Sequence, residues 1–309
     1  MKLGIIGVGA LGSLFGGALA DVGHDVTLVI RNDAHRNAVR ASGLKLERDS
    51  GEAIVKIPAI APTETHDPFD VIFVFTKTGA TAQAISAVSH MIDDSTCLVS
   101  VQNGLGNHHV LANFVGYERV IYGTTTAPAD LIGPGHVASH GQHLTQINAA
   151  RTNSAEIAID LAEMLCGADI RTVVNHEIDT VIWNKVAFNT AMNAICALVT
   201  GTPGSIADSV HLSELARAVV MESCAVARAD GITIDPNNVM SIVEMAGREH
   251  RTHKPSMVHD VIAMRQTEID ALNGAVIALG KTHNIPTPLN EALFALIKGV
   301  EAQYKKITR

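Results

Sequence analysis

The sequence predicts an α/β fold: an N-terminal Rossmann-type domain on a doubly wound, mostly parallel sheet, followed by a second, all-helical C-terminal domain. Three observations predict it. The first half alternates short β-branched runs with helical patterns, which implies right-handed crossovers and a sheet covered on both faces. A glycine-rich turn, Gly7-Val8-Gly9-Ala10-Leu11-Gly12, joins the first such run to the first helix. From residue 176 onward the chain reads almost entirely as helices, punctuated at Gly201-Thr202-Pro203-Gly204, Asp235-Pro236, Lys254-Pro255 and Ile285-Pro286. The domains are therefore expected over residues 1–174 and 175–309.

Element by element, residues 2–6 form a β-branched strand, 10–22 a helix of small residues, and 25–30 (DVTLVI) a second strand. A polar helix over 33–41 follows, then a charged, β-rich region over 44–57, a buried strand over 71–75, a helix over 80–91 and a strand over 97–101. Residues 120–126 and the glycine-punctuated pieces around Val137 and Gln146 read as further strands, antiparallel in sense. After residues 169–173 the pattern changes. Met1-Lys2 and the uncharged stretch 3–20 imitate a secretion signal. Gly4, Gly7, Gly9, Gly12, Gly16 and Gly17 fall inside it, and each weakens a helix by roughly 1 kcal/mol relative to Ala, so strand and helix are the better expectation.

Composition narrows the function. With 23 Lys and Arg against 31 Asp and Glu, the net charge is −8, spread over both halves with no basic tail. Nucleic acid and anionic membrane surfaces are thus not expected partners. Cys97, Cys166, Cys196 and Cys224 lie far apart in apolar stretches with no zinc spacing, which predicts reduced core thiols, no metal site and a cytoplasmic location.

The pattern GxGxxG is weak alone, but here it follows a strand, opens a helix and precedes a second strand. The first glycine makes the turn, the second admits a pyrophosphate, the third lets helix pack on strand, and the helix N-terminal amides hold the anion. Gly7, Gly9, Ala10, Leu11 and Gly12 are therefore the expected dinucleotide loop. After the second strand, where an NAD site would carry an acid for the ribose hydroxyl, the chain reads Ile30-Arg31-Asn32-Asp33. A guanidinium there suits a 2′-phosphate, so NADP(H) is the expected cofactor, with Asn32 as an extra donor. Lys77 and Asn103, just beyond later strands, are expected to face the same crevice.

In WNKVAFNTAMNAICAL (183–198), Lys185, Asn189 and Asn193 recur every four residues and share one face of a helix that is otherwise apolar. The stripe faces either solvent or a polar cleft. Reduction of a carbonyl requires what such a cleft would hold: a lysine to protonate the developing alkoxide, and carboxamides to fix substrate oxygens. Glu268, read as helical within RQTEIDALNGAV, supplies either an acidic partner for that lysine or for a substrate hydroxyl, or an i,i+3 surface pair with Arg265.

With these motifs in order, GVGALG, Thr76-Lys77, QNGLG at 102–106, GTTTAPA at 123–129, WNKVAFNTAMN, PSMVHD at 255–260 and TEIDALNG at 267–274, the chain resembles the ketopantoate reductase (2-dehydropantoate 2-reductase) family over nearly its whole length. The resemblance implies reduction of ketopantoate by NADPH to (R)-pantoate for pantothenate synthesis, in the cleft between the two domains. It also implies that Lys185 is the proton donor and that Glu268 binds the substrate and supports the lysine. Asn103, Asn189, Asn193 and Ser256 would bind substrate, while Arg31 and Lys77, with Asn103, would face the cofactor. Two positions depart from the family pattern: His253 stands where members carry Asn, and His259 where many carry Gln. An imidazole differs in shape and titrates nearer neutrality, which leaves open a paralogue acting on another 2-oxo acid. A β-hydroxyacid dehydrogenase and an NADP-sensing regulator are the rival expectations, and a homodimer is allowed for.

Overall fold

The computed structural model describes residues 1–307, and its chain divides into two compact units. One comprises Met1–Gln102 with Gly106–Ile178; the other comprises Asn103–Leu105 together with the chain from Asp179 onward.

The first unit runs β1 (Lys2–Ile6), α1 (Ala10–Asp21), β2 (Asp25–Val29), α2 (Asp33–Ser42), β3 (Leu44–Arg48), β4 (Gly51–Val55), β5 (Ala59–Ile60), β6 (Val71–Val74), α3 (Thr81–Ala87), β7 (Cys97–Ser100), α4 (Asn107–Val115), β8 (Val120–Thr125), β9 (Asp130–Gly133), β10 (His136–Ser139), β11 (Thr145–Ala149), α5 (Ala155–Gly167) and β12 (Thr172–Val174). Eight strands form the main sheet in the order β12-β11-β8-β7-β6-β1-β2-β5, and β4-β3-β10-β9 form a second. β1 lies between β2 and β6, parallel to both, so the chain reverses its direction of winding at β1. In open sheets of this kind the ligand crevice opens at that reversal, beyond the carboxyl ends of the strands.

Both faces of the main sheet are covered, and strict alternation shows it. Val71 and Phe73 of β6 enter the core shared with α1 and α5, whereas Ile72 and Val74 enter a second core shared with α3 and α4. Each such side chain contributes about 1.5–3 kcal/mol through burial. The residues that imitate a secretion signal are β1 and α1 of this unit.

The structure amends several expectations. The helix expected over 80–91 keeps α-geometry only through Ala87, because Val88 bonds back three residues to Ile85 and begins a tighter turn over Ser89–Met91. The strands expected to be antiparallel are so with only one neighbour each: β8 and β11 pair antiparallel, but β8 runs parallel to β7, β11 to β12, and β10 to β3. α4 and α5 were not expected; buried Ala158, Leu161, Ala162 and Leu165 give α5 the helical period that marks it. Cys97, Cys196 and Cys224 are buried, but Cys166 is exposed near the end of α5, where its thiol donates to the Thr172 carbonyl at 3.1 Å.

The second unit is helical: α6 (Ile178–Val199), α7 (Pro203–Ala207), α8 (Val210–Ala229), α9 (Pro236–Glu249), α10 (Ser256–Ile262), α11 (Asn273–His283) and α12 (Pro288–Ile307). Proline opens α7 and α9, each after a capping residue: Thr202 in a capping box, and Asp235, which accepts from Asn237 at 2.9 Å. Apolar residues of α6, including Val186, Met192 and Ile195, enter the core of this unit, with Val219, Val239, Ile269 and Val276. A polar seam crosses that core: Thr190 shares a hydrogen bond with Ser223 at 3.0 Å, and Asn273 donates to the Thr190 carbonyl and to Asn290. Among the described residues no helix is long and apolar enough to cross a membrane, and no cluster of side chains suited to a metal ion occurs.

Candidate functional site

In the first unit the structure brings Gly7, Gly9, Ala10, Leu11 and Gly12 into one turn at the carboxyl end of β1. Gly7 has φ +76°, and a Cβ there would lie 2.3 Å from the Thr76 amide nitrogen, so only glycine fits. At Gly12 a Cβ would lie 2.7 Å from the Gly7 carbonyl oxygen. At Gly9 a Cβ would meet nothing within 4 Å, so one side of the turn is open. α1 starts there with no side-chain cap and no acid in its first turn, which leaves its first amides available to an anion. This cradle fits a dinucleotide pyrophosphate.

Arg31 follows β2, is exposed, and has no ion pair or hydrogen bond among the described residues. The nearby acid is otherwise engaged: Asp33 pairs with Arg36 at 2.5 Å, and Arg36 also donates to the Ile30 carbonyl. Asn32, expected as an extra donor, uses its side-chain oxygen to cap α2, accepting from His35 at 2.9 Å. Lys77 is exposed beyond β6. One polar residue not singled out by the sequence links these ends: buried Gln102 donates to the Thr76 carbonyl and to Thr81 Oγ1 at 2.9 Å, and accepts from Ser100 at 2.7 Å. Its signal was its position directly after a fully buried strand.

The second unit holds Lys185, Asn189, Asn193 and Glu268. Lys185, Asn189 and Asn193 lie along one face of α6, and the two asparagines are only 8% and 6% exposed, which excludes a solvated surface stripe. Among the described residues neither the Asn189 nor the Asn193 side chain makes a hydrogen bond, although neither has its amide sealed off from solvent contact. Their carboxamides therefore meet solvent from an otherwise buried face and are open to a polar ligand. Burial around Lys185 pushes its ammonium down to about 8, and the negative field of Glu268 acts in the opposite sense.

Glu268 is not helical. It sits in a run of turns before α11, where the Ala271 and Leu272 amides donate to its own carbonyl at 3.0 and 3.2 Å. The helical period in RQTEIDALNGAV belongs to α11, which begins only at Asn273, because the bonds at Thr267 fix the preceding segment as a turn. Nor does Glu268 pair with Arg265, whose Nε donates instead to Asp260 at 3.1 Å. Asn103 Nδ2 donates to Glu268 Oε2 at 3.2 Å. Gly104, at φ +91°, lets the chain approach the turn: a Cβ there would lie 2.5 Å from the Ala271 carbonyl oxygen, which accepts from the Leu105 amide at 3.1 Å. Asn103, Gly104 and Leu105 thus place a carboxamide against the acid.

Ser256 is exposed at the first turn of α10, whose preceding residue is Pro255, and it does not cap that helix. His253 and His259 are also exposed. A cavity of about 490 Å³ in the first unit is lined by Arg48, Asp49, His143, Cys166 and Arg171 among others and contains none of the expected site residues.

Known proteins are similar to the chain across both units. The family model described as "Ketopantoate reductase PanE/ApbA" matches residues 3–152, and its C-terminal counterpart matches residues 177–301. A 2-dehydropantoate 2-reductase of Pyrococcus abyssi is 34% identical over 302 residues, 98% of each chain. Among solved structures, a D-mandelate dehydrogenase in ternary complex with NADH and anilino(oxo)acetate superposes with a TM-score of 0.93 at 28% identity, over 99% of this chain and 100% of that one. A PanE/ApbA family ketopantoate reductase from Ralstonia eutropha JMP134 gives 0.91 at 28% identity, with coverage of 99% and 100%.

Proposed function

The chain belongs to the ketopantoate reductase family, and from that membership we propose that it is a cytoplasmic NADPH-dependent 2-oxo-acid reductase converting ketopantoate (2-dehydropantoate) to (R)-pantoate for pantothenate biosynthesis. The observation that carries the proposal is the stripe on α6: two buried carboxamides without protein partners, in line with a lysine of lowered basicity beside a carboxylate.

The roles follow from the chemistry of each group. Gly7, Gly9, Ala10, Leu11 and Gly12 would hold the pyrophosphate, Arg31 and Lys77 the 2′-phosphate, and Asn103 would serve both cofactor and substrate. The bound cofactor supplies hydride to the 2-oxo carbon. The carbonyl oxygen then carries developing negative charge, which Lys185 stabilises and protonates to give the hydroxyl. Glu268 keeps the lysine charged until that transfer, and Asn103 fixes the carboxylate. Asn189 and Asn193 donate amide hydrogens to the substrate carboxylate or hydroxyl, since no side-chain bond within the protein occupies them. Ser256 would add a hydroxyl contact to the carboxylate.

A second reading rests on the similarity to the D-mandelate dehydrogenase, which was solved with NADH and an anilino-substituted oxo acid. Together with His253 and His259, it favours another 2-oxo acid. A panel of ketopantoate, branched aliphatic 2-oxo acids and phenylglyoxylate, followed by loss of NADPH or NADH absorbance, separates the two. Ketopantoate with NADPH should give the highest kcat/KM; an aromatic 2-oxo acid with NADH in that place establishes the second reading. Lys185→Ala should lose turnover by a factor on the order of 10² to 10⁴ while leaving NADPH binding unchanged, and full activity in that variant rejects the assigned acid.

A further inference from the structure

We propose that Glu301, acting with Lys298 on α12, is a positioning residue for the reaction: it pins the turn that carries Glu268 and thereby sets how that carboxylate stands toward Lys185. The proposal rests on the roles of Lys185 and Glu268 given above.

Glu268 lies in a turn with no strand or helix of its own, and such segments are soft unless tied down. The ties are specific. The Thr267 amide and hydroxyl both donate to Glu301 Oε1, each at 2.7 Å, while the Thr267 hydroxyl accepts from the Ile269 amide at 3.2 Å. The Lys298 ammonium stands 2.9 Å from Glu301 Oε2 and 2.9 Å from Asp270 Oδ2. The residue just before Glu268 and the residue two beyond it are therefore both fastened to one face of α12, across the i,i+3 pair Lys298 and Glu301. The Glu301 side chain is only 10% exposed. Burial alone would raise its carboxyl, but the bonds from Thr267 and Lys298 outweigh this and hold it below the usual carboxylate range. The charges of Glu301 and Asp260 both act on Tyr304, and Asp260 in turn accepts from Arg265 Nε at 3.1 Å. From the other side, the Leu105 amide bonds to Ala271.

The mechanism does not use Glu301 directly, so its effect must be read on Lys185. If Glu301 holds the turn, its removal lets Glu268 withdraw, the negative field on the ammonium weakens, and Lys185 loses its proton more readily. The test is the pH dependence of Lys185 acetylation by acetic anhydride in the full-length protein, followed by mass spectrometry of the labelled peptide. In the wild type the labelling midpoint should fall near about 8. In Glu301→Ala the midpoint should fall by roughly half a pH unit or more, with kcat lowered roughly tenfold and NADPH affinity, read by fluorescence, unchanged. Glu301→Gln keeps an acceptor for Thr267 and should recover most of the midpoint. A merely structural loss reduces the folded fraction and leaves the midpoint in place. Should Glu301→Ala fail to fold, Thr267→Val keeps the shape and should shift the midpoint the same way by less. A midpoint unchanged or raised in these variants overturns the proposal. A wild type that reduces no 2-oxo acid, with the midpoint still shifting in Glu301→Ala, rejects the assigned function and leaves the positioning role standing.

Discussion

Lys185 decides how activity should depend on pH. Its ammonium is pushed down to about 8 by burial, so it is protonated at neutral pH and loses its proton within a range an enzyme assay reaches. In the proposed mechanism reduction requires the protonated form. The kcat for 2-oxo-acid reduction should therefore be flat below about 7 and fall about tenfold per pH unit above about 8, whereas oxidation of the 2-hydroxy product should rise over the same interval. A stopped-flow pH profile in both directions checks this, and a reduction rate still level at pH 10 is incompatible with the role. Arg31 is the residue proposed to discriminate between cofactors. Charge-assisted bonds to a phosphate are worth about 1.5–3 kcal/mol, so Arg31→Ala should raise the KM for NADPH roughly 10- to 100-fold and leave that for NADH nearly unchanged. At this scale the sequence was informative because Lys, Arg and Asn carry their chemistry in their identity. It could not show that Asp33 is held by Arg36, or that Asn32 is spent as a cap, since both depend on the local entry into α2.

Between elements, periodicity served the stripe well and misjudged the acid. The spacing of Lys185, Asn189 and Asn193 on α6 needed only 3.6 residues per turn, and the burial of Asn189 and Asn193 then removed the surface alternative. For Glu268 the same pattern suggested a helix, but Thr267 spends its amide and hydroxyl on a carboxylate more than thirty residues away, and a tie of that range has no local signature. Gly104 belongs with these long-range causes. Gly104→Ala would put a methyl group at a positive φ and against the Ala271 carbonyl, at a cost of about 2 kcal/mol or more. Urea unfolding should show that loss, and turnover of the variant should fall further than its stability accounts for, because Asn103 and the turn would separate. A Gly104→Ala protein with wild-type turnover would show that this close approach is dispensable.

At the level of the whole chain, alternation of strand and helix was sufficient for the sheet, and the change to pure helix was sufficient for the second unit. The antiparallel and parallel mixture beyond β8 was not legible, because direction depends on which neighbour a strand finds. The nucleotide loop and the α6 stripe occupy separate units with separate cores. Ligand linkage should reflect this: NADPH at about 100 times its Kd should add about 2.7 kcal/mol to the unfolding free energy of the protein that binds it. In differential scanning calorimetry the shift should shrink in Arg31→Ala at the same nucleotide concentration and persist in Lys185→Ala. Loss of the shift in Lys185→Ala would mean that the lysine helps bind nucleotide.

The short excursion of the backbone at Asn103, Gly104 and Leu105 carries a lesson for recombining members of the family. A hybrid gene spliced once, near Ile178, hands the helical half of one parent three residues from the other, and with them a foreign amide for Glu268. Breeders of new substrate preferences should cut in three places, transplanting that tripeptide along with the helices it serves.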